Sequence, residues 1–210
     1  MRPWAYAPSH TNFTYLLVDR IENQVKGQTI TPPAAAEWLQ TYSYARFAFS
    51  ALWVAAAFVL APMQPAIAAA LLVVYPAWDA AANYLDARRN GGFGQNRPQL
   101  INTVVSAVTT VAVVVALTQG MAAVLLVYGV WAVLSGLLQL VAAVRRWRAG
   151  GQWAMALSGA QSALAGAFFA ASAGTMASPG IGIIAGYAAF GTVYFLVTAV
   201  WLTVKKLRRR

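Results

Sequence analysis

Six long runs of apolar residues dominate the sequence and constrain its fold more than any other feature. They occupy residues 46–61, 65–84, 100–117, 121–143, 153–173 and 181–203. Each run has about the length of the roughly 20 apolar residues that an α-helix needs to cross the hydrocarbon core of a bilayer. The sequence therefore predicts an all-α, polytopic membrane protein with six transmembrane helices.

The composition agrees with a membrane protein and excludes several kinds of site. Hydrophobic residues make up 60% of the chain and charged residues only 10%, whereas soluble domains carry about 25% charged residues. The chain has no cysteine and a single histidine, His10, so thiolate metal sites and sites built from several imidazoles are excluded. No phosphate-binding loop, dinucleotide fingerprint or nucleophile with a paired base occurs. We therefore predict no enzymatic activity, no catalytic, cofactor-binding or metal-binding residues, and no cofactor.

The basic residues predict the topology. The connections after the first, third and fifth runs carry no charge, whereas those after the second and fourth contain Arg88, Arg89 and Arg97, and then Arg145, Arg146 and Arg148. With the two ends of the chain included, all 15 lysines and arginines fall on one side. The positive-inside rule makes that side the cytoplasm, with both termini there. The net charge of +10 then indicates attraction to anionic lipids at the cytoplasmic face rather than nucleic-acid binding.

Three segments are predicted along the chain. Residues 1–43 form a cytoplasmic amino-terminal segment, in which Phe13, Leu17, Ile21 and Val25 recur every four residues and predict an amphipathic helix. Thr31 followed by Pro32 has the pattern of a helix start, so a second short helix is expected to lead into the first span. Residues 44–204 form the six-helix membrane domain, and residues 205–210 form a basic cytoplasmic tail.

A recurring aromatic motif predicts an internal repeat. Tyr75–Trp78, Tyr128–Trp131 and Tyr187–Phe190 occupy matching places in spans two, four and six, separated by 53 and then 59 residues. A shift of 53 also superposes Ser106 on Gly159 and Thr109 on Ser162. The six spans are thus predicted to be three repeated helical hairpins that point the same way, around a pseudo-three-fold axis along the membrane normal.

The second half of the chain resembles a known family. The residues that carry the resemblance are Tyr128-Gly-Val-Trp131, Ser135-Gly136, Gln139, Gln152-Trp153, Ser158-Gly159 and Gly166. They are similar to the bacterial HdeD family of small six-span membrane proteins, which are built from a short repeat of unknown function and whose namesake is associated with acid resistance. The resemblance implies a six-span fold in the bacterial inner membrane and a role in stress, but it supplies no catalytic residues.

One acidic residue falls inside the predicted bilayer. Tyr75, Asp79, Asn83 and Asp86 lie at i, i+4, i+8 and i+11 and form one polar stripe on span two. Placing an aspartate near the centre of a transmembrane helix costs about 3 kcal/mol on insertion scales, so Asp79 requires a partner. Arg46 lies at nearly the same depth on span one. We predict an ion pair between Arg46 and Asp79, with Tyr75 and Asn83 hydrogen-bonded around it.

Other polar and small residues predict packing rather than chemistry. Asp86 is expected to pair with Arg88 and Arg89 at the membrane interface. Gln139 and Gln161 are expected to form hydrogen bonds between helices. Two stripes of small residues are expected to permit close helix contacts, within one chain or between copies. They are Gly159, Ala163, Gly166 and Ala170 on span five, and Gly182 with Gly186 on span six.

Three functional hypotheses follow. The first is a non-enzymatic inner-membrane protein of the HdeD type, related to acid or envelope stress, in which the Arg46–Asp79 pair is structural. The second is a proton- or cation-linked channel or transporter that uses Asp79, Asn83 and Asp86. The third is a homo-oligomer or an accessory subunit of a larger membrane complex, with residues 1–43 and the basic tail as docking elements.

Overall fold

Long α-helices account for most of the chain. The computed structural model describes residues 32–145, 147, 153–176 and 179–208. Its helices are α1 Pro32–Val59, α2 Pro65–Arg89, α3 Arg97–Leu117, α4 Met121–Arg145, α5 Trp153–Ser172 and α6 Ile181–Leu207, with a 3-10 helix at Ala61–Met63. Within these residues there is no strand, and six helices are long and apolar enough to cross a membrane. The prediction of an all-α fold with six spans is confirmed.

The helix ends coincide with proline and glycine. Pro65 begins α2 and Pro98 lies in the first turn of α3, where the missing N–H of proline costs no helical hydrogen bond. Gly120, between α3 and α4, has a φ of +103°, a conformation that residues with a Cβ rarely adopt. These residues help to explain why the apolar runs predicted the helix ends to within about five residues, except at the start of α1, which lies at Pro32 rather than near residue 46.

The amino-terminal predictions are only partly within the described residues. The amphipathic helix predicted around Phe13 to Val25 lies outside them. The helix start predicted at Pro32 agrees with α1, whereas the cap predicted at Thr31 lies outside the described residues. The predicted short helix is not separate, because α1 begins at Pro32 and runs through the first span without a break. Because α1 crosses residues 43 and 44 and α6 extends to Leu207, the division into three segments stays a prediction.

The helices form a bundle that α1 and α6 close. The ammonium group of Lys206 lies 2.8 Å from a carboxylate oxygen of Glu37. The amide of Gln40 donates a hydrogen bond of 2.7 Å to the hydroxyl of Thr203. The start of α1 and the end of α6 are therefore neighbours. We call this end of the bundle, where the α2–α3 connection and the end of α4 also lie, the basic end, and the opposite end the apolar end.

Helix pairing does not follow the order of the predicted hairpins. The closest packing is between α4 and α5, then between α1 and α6 and between α2 and α3. By contrast, α1 with α2 and α5 with α6 are packed more loosely. The closest pairs thus join helices of neighbouring predicted hairpins, and the arrangement as three repeated hairpins stays a prediction.

Buried contacts recur every 56 residues. Trp131 Nε1 donates a 3.0 Å hydrogen bond to Ser106 Oγ, and the hydroxyls of Ser162 and Tyr187 are hydrogen-bonded. Tyr75 has Ser50 within hydrogen-bonding reach. In all three cases the partners are 25 residues apart, and successive pairs are 56 residues apart. The same spacing relates fully buried residues in α2, α4 and α6: Leu72, Tyr128 and Ile184; Ala87, Ala143 and Ala199.

This register differs from the predicted separations of 53 and 59 residues. In the 56-residue register, Trp131 is equivalent to Tyr75 and Tyr187. Trp131 is the second aromatic residue of its motif, whereas Tyr75 and Tyr187 are the first aromatic residues of theirs. Tyr128 lies one helical turn away and makes a different contact. The sequence motif therefore misplaced the middle copy by one turn, and Ser106 corresponds to Ser162 rather than to Gly159.

Tyr128 compensates for a proline within α2. Pro76 has no N–H, so the carbonyl of Leu72 lacks its usual partner in the helix. The hydroxyl of Tyr128 donates a 2.6 Å hydrogen bond to this carbonyl. Trp53 Nε1 similarly donates to the carbonyl of Leu71 at 2.8 Å. A bilayer offers no water to serve such carbonyls, so α1 and α4 stabilise α2 at its proline.

Glycines allow the backbones of α4 and α5 to touch. A Cβ added at Gly129 would lie 2.6 Å from the backbone nitrogen of Ala170, and one added at Gly136 would lie 2.6 Å from that of Ala163. The stripe predicted on span five therefore packs against α4 within one chain. Gly186 behaves differently, because a Cβ there would meet nothing within 4 Å. The Gly182 and Gly186 stripe is not a site of such close approach within the described residues.

Candidate functional site

Four donors from three helices converge on the carboxylate of Asp79. Arg46 Nη2, on α1, lies 2.5 Å from Oδ1. The other oxygen, Oδ2, accepts hydrogen bonds from Ser106 Oγ at 2.8 Å, Asn83 Nδ2 at 3.0 Å and Asn102 Nδ2 at 3.3 Å. Asp79 is only 6% exposed. Both carboxylate oxygens are thus engaged, by groups of α1, α2 and α3.

Arg46 extends the same network to α6. Its guanidinium lies over the ring of Phe195, with 4.6 Å from Cζ to the ring centroid, and 5.9 Å from the ring of Tyr42. Such stacking stabilises a cation away from water. Nη2 contacts Asp79, but Nε and Nη1 are buried with no hydrogen-bond partner. Arg46 therefore keeps N–H groups on Nε and Nη1 that its contact with Asp79 does not use.

Two of the predicted contacts around Asp79 are confirmed, and Tyr75 lies elsewhere. The ion pair with Arg46 and the hydrogen bond from Asn83 are present. Tyr75 instead packs its ring 4.5 Å from Trp53 and 5.9 Å from Trp131, measured between centroids. Side chains of a helix lean toward its amino terminus. Since α2 starts at the apolar end, Tyr75 leans away from Asp79.

Asp86 lies nearer the basic end in a separate cluster. Its carboxylate accepts hydrogen bonds from Trp38 Nε1 at 3.0 Å and Asn90 Nδ2 at 2.6 Å. The guanidinium of Arg89 lies 4.8 Å from the ring centroid of Trp38, and that of Arg88 lies 5.7 Å from that of Tyr84. Asp86 therefore joins the start of α1 to the end of α2, and the structure buries it rather than leaving it at the surface.

Sequence reasoning missed the contribution of α3. Asn102 and Ser106 both donate to Asp79, and Ser106 also accepts the hydrogen bond from Trp131. The available signal was their spacing, since two polar residues one turn apart share a face of an otherwise apolar helix.

A cavity of about 650 Å³ lies beside this network, lined by residues of all six helices. It extends from the level of Tyr75, Trp131 and Tyr187 to residues near the basic end such as Leu39 and Lys205. Its polar lining includes Arg46, Asp79, Asn83, Gln99, Asn102, Ser135, Gln139, Ser158 and Gln161. Three acceptors among them are buried without a hydrogen bond: Gln99 Oε1, Asn102 Oδ1 and Ser135 Oγ. Unpaired polar groups are costly away from water, so this cavity suits water or a polar ligand.

The cavity also borders the gap between α5 and α6. Two side-chain hydrogen bonds cross this gap, from Tyr194 to Gln161 Oε1 at 2.9 Å and between Ser162 and Tyr187. The predicted interhelical role of Gln161 is therefore confirmed, whereas Gln139 lines the cavity. Phe190, Val197 and Trp201 of α6 line the cavity and are also 60%, 52% and 50% exposed. The cavity thus reaches the lateral surface of the bundle.

Fold and site together define a multi-pass α-helical membrane protein with a buried ion pair beside a central polar cavity. Residues 101–171 match a family model described as a short repeat of unknown function (DUF308). The match spans most of α3, all of α4 and most of α5, and it is consistent with the resemblance to the HdeD family. No curated protein and no solved structure matches the chain. In the described part of the chain, no three potential metal ligands among His, Asp and Glu lie together.

Proposed function

We propose that this chain is a non-enzymatic protein of the bacterial inner membrane, of the HdeD type, that supports tolerance of acid or envelope stress. The repeat match over residues 101–171 and the six apolar helices support the HdeD type, and the stress role rests on the family resemblance. The proposal places the basic end in the cytoplasm, because arginine and lysine are retained on that side.

In this proposal the Asp79 network is a structural clamp. The observation that carries it is the occupation of both carboxylate oxygens by four donors. A proton or cation would have to compete with Arg46 and the three neutral donors for these oxygens, and displacement of Arg46 would leave its charge buried without its partner. The clamp joins α1, α2 and α3 at one depth and, through Arg46 and Phe195, α6.

The test compares acid survival with protein abundance. A strain lacking the gene should survive acid shock less well than the parent, and the unmodified gene should restore survival. Asp79→Asn should lower the abundance and the melting temperature of the protein. Acid survival of the strain, divided by the abundance of the protein, should stay unchanged. Glu37→Gln is the matched control, because Glu37 is an exposed carboxylate, the amide oxygen of glutamine can still accept the hydrogen bond from Lys206, and an exposed ion pair contributes only about 0–1 kcal/mol. This substitution should therefore change neither quantity measurably. Unchanged survival in the deletion strain would contradict the stress role.

Proton- or cation-linked transport is a second candidate, which rests on the observation that the cavity reaches Asp79. Reconstituted protein would then carry a proton or cation flux that Asp79→Asn abolishes at normal protein levels.

A role as accessory subunit also stays a proposal. It requires that a partner co-purify in a fixed ratio after gentle solubilisation.

A further inference from the structure

The gap between α5 and α6 has apolar edges. Phe190, Tyr194, Val197 and Trp201 lie at i, i+4, i+7 and i+11, so they share one face of α6, and all four line the cavity. The exposed sides of Phe190, Val197 and Trp201 would meet lipid chains in a bilayer. α5 and α6 pack loosely against each other, and the two described side-chain hydrogen bonds that cross their gap are at Tyr187 and Tyr194. A hydrocarbon chain can therefore lie beside these bonds with one end inside the bundle.

Several residues that line the cavity carry buried polar atoms without a hydrogen-bond partner. Arg46 contributes two buried donors, Nε and Nη1, while Asn102 Oδ1 and Ser135 Oγ are buried acceptors without a bond. In the 56-residue register Arg46 corresponds to Asn102 and Ser158, and Asp79 corresponds to Ser135 and Gly191. Equivalent positions of different repeats thus supply two sets of three residues, and five of these six residues are polar.

The charge of the cavity favours an uncharged head group. The four charged residues that line the cavity, Arg46, Lys205, Asp79 and Asp86, sum to zero net charge. Arg46 is matched by Asp79 at 2.5 Å, so a bound anion would be desolvated beside a pair that is already neutral. A hydroxyl group both donates and accepts, and it can therefore bond to an Arg46 N–H and to Asn102 or Ser135 at once.

From this juxtaposition we propose that the cavity binds a single-chain lipid with an uncharged, hydroxylated head group, which enters from the bilayer between α5 and α6. The head group lies among Arg46, Asn102 and Ser135, and the chain passes Phe190 and Trp201. The volume of about 650 Å³ lies within the range of roughly 300–1,000 Å³ typical of small-molecule sites. Monoacylglycerols and single-chain glycolipids share this chemistry.

Gly191 provides a variant that fills the cavity. It lines the cavity on α6, and a Cβ added there would meet nothing within 4 Å. The Cβ of Gly191→Phe therefore meets no neighbouring helix, and the ring extends from a position that lines the cavity. Gly186→Phe is the matched control, because Gly186 is on the same helix with equally open surroundings but is not part of the cavity lining.

The experiment uses the full chain in phosphatidylcholine nanodiscs, purified without glycosidic detergents because these carry the same head-group chemistry. The probe is a monoacylglycerol with a photoreactive diazirine in its chain. Irradiation should label peptides of α5 and α6, and unlabelled monooleoylglycerol should compete better than oleate. Gly191→Phe should weaken labelling about tenfold, which corresponds to about 1.4 kcal/mol of binding free energy, whereas Gly186→Phe should leave it unchanged.

Three results would overturn the proposal: labelling spread evenly over the lipid-facing helices, equal labelling of Gly191→Phe and the unmodified chain, or competition by oleate as strong as that by monooleoylglycerol. If Gly191→Phe fails to fold, the map of labelled peptides in the unmodified protein still tests the proposal, because labelling must be concentrated in α5 and α6. An alkyl glucoside of equal chain length is then tested as a competitor of the photoreactive probe. Comparing its competition with that of monooleoylglycerol shows whether the cavity prefers glycolipids or monoacylglycerols. The proposal goes beyond the stress role, and acid survival does not enter its test.

Discussion

At the scale of single residues, the ion pair between Arg46 and Asp79 decides how the buried network responds to mutation. Removal of one partner leaves the other charge buried and uncompensated, which typically costs about 3–5 kcal/mol. We expect Asp79→Leu and Arg46→Met each to lower the stability by about this amount, and the double variant to lose less than the sum of the two. Unfolding in detergent micelles measures all three. Additive losses would show that the two side chains act independently.

The ion pair could be predicted because depth in a membrane follows from residue counting, at about 1.5 Å per helical residue. Arg46 and Asp79 lie at similar counts from the apolar end and do meet. Asn102, Ser106 and Trp131 were not predicted as members of the network. Their participation depends on how α3 and α4 are rotated about their axes, and counting along a single chain gives depth but not rotation.

At the scale of helices, the contact between Tyr128 and the proline of α2 makes a testable pair. Tyr128→Phe removes the only described donor to the Leu72 carbonyl, and a buried unsatisfied group costs about 1–3 kcal/mol. Pro76→Ala restores an N–H at that position of the helix. We therefore expect Tyr128→Phe to destabilise the protein in the presence of Pro76 and much less in the Pro76→Ala background. Equal losses in the two backgrounds, measured by thermal unfolding, would contradict this account.

The crossing of α4 and α5 is the most sensitive helix contact. A Cβ at Gly129 would approach the Gly166 carbonyl oxygen to 2.7 Å and the Ala170 nitrogen to 2.6 Å, and both are backbone atoms that cannot move independently. Gly129→Ala should therefore cost about 1–3 kcal/mol through overpacking. Gly186→Ala is the control and should be neutral or stabilising by up to about 1 kcal/mol, because alanine favours a helix over glycine. Similar behaviour of the two variants would mean that the helices can separate freely.

Apart from the start of α1, helix ends were predictable to within about five residues, whereas the closest helix pairs were not predicted. Hydropathy, Pro65 and Gly120 fixed the ends, because the apolar length and the special backbone residues act locally. The pairing of α2 with α3 and of α4 with α5 depends on long-range contacts such as Gly129 with Gly166. The repeat register failed for a related reason, since the motif showed two aromatic residues per copy without showing which one faces the serine.

At the scale of the whole molecule, the asymmetric charge predicts the orientation in the membrane. The chain has no cysteine, so single introduced cysteines report their side directly. Gly94→Cys lies in the connection at the basic end, and Gln119→Cys lies at the apolar end. In intact cells a membrane-impermeant maleimide should label Gln119→Cys at once and Gly94→Cys only after the inner membrane is permeabilised. The opposite pattern would invert the proposed topology.

The contact between α1 and α6 also has a consequence for chain connectivity. These helices pack as closely as α2 packs on α3, although no loop joins them, and Glu37, Gln40, Lys206 and Thr203 hold them side by side. Non-covalent forces alone thus close the ring. A circularly permuted chain, in which a flexible linker joins the old ends and the new ends lie in the α2–α3 connection, would keep every helix neighbour of the native bundle.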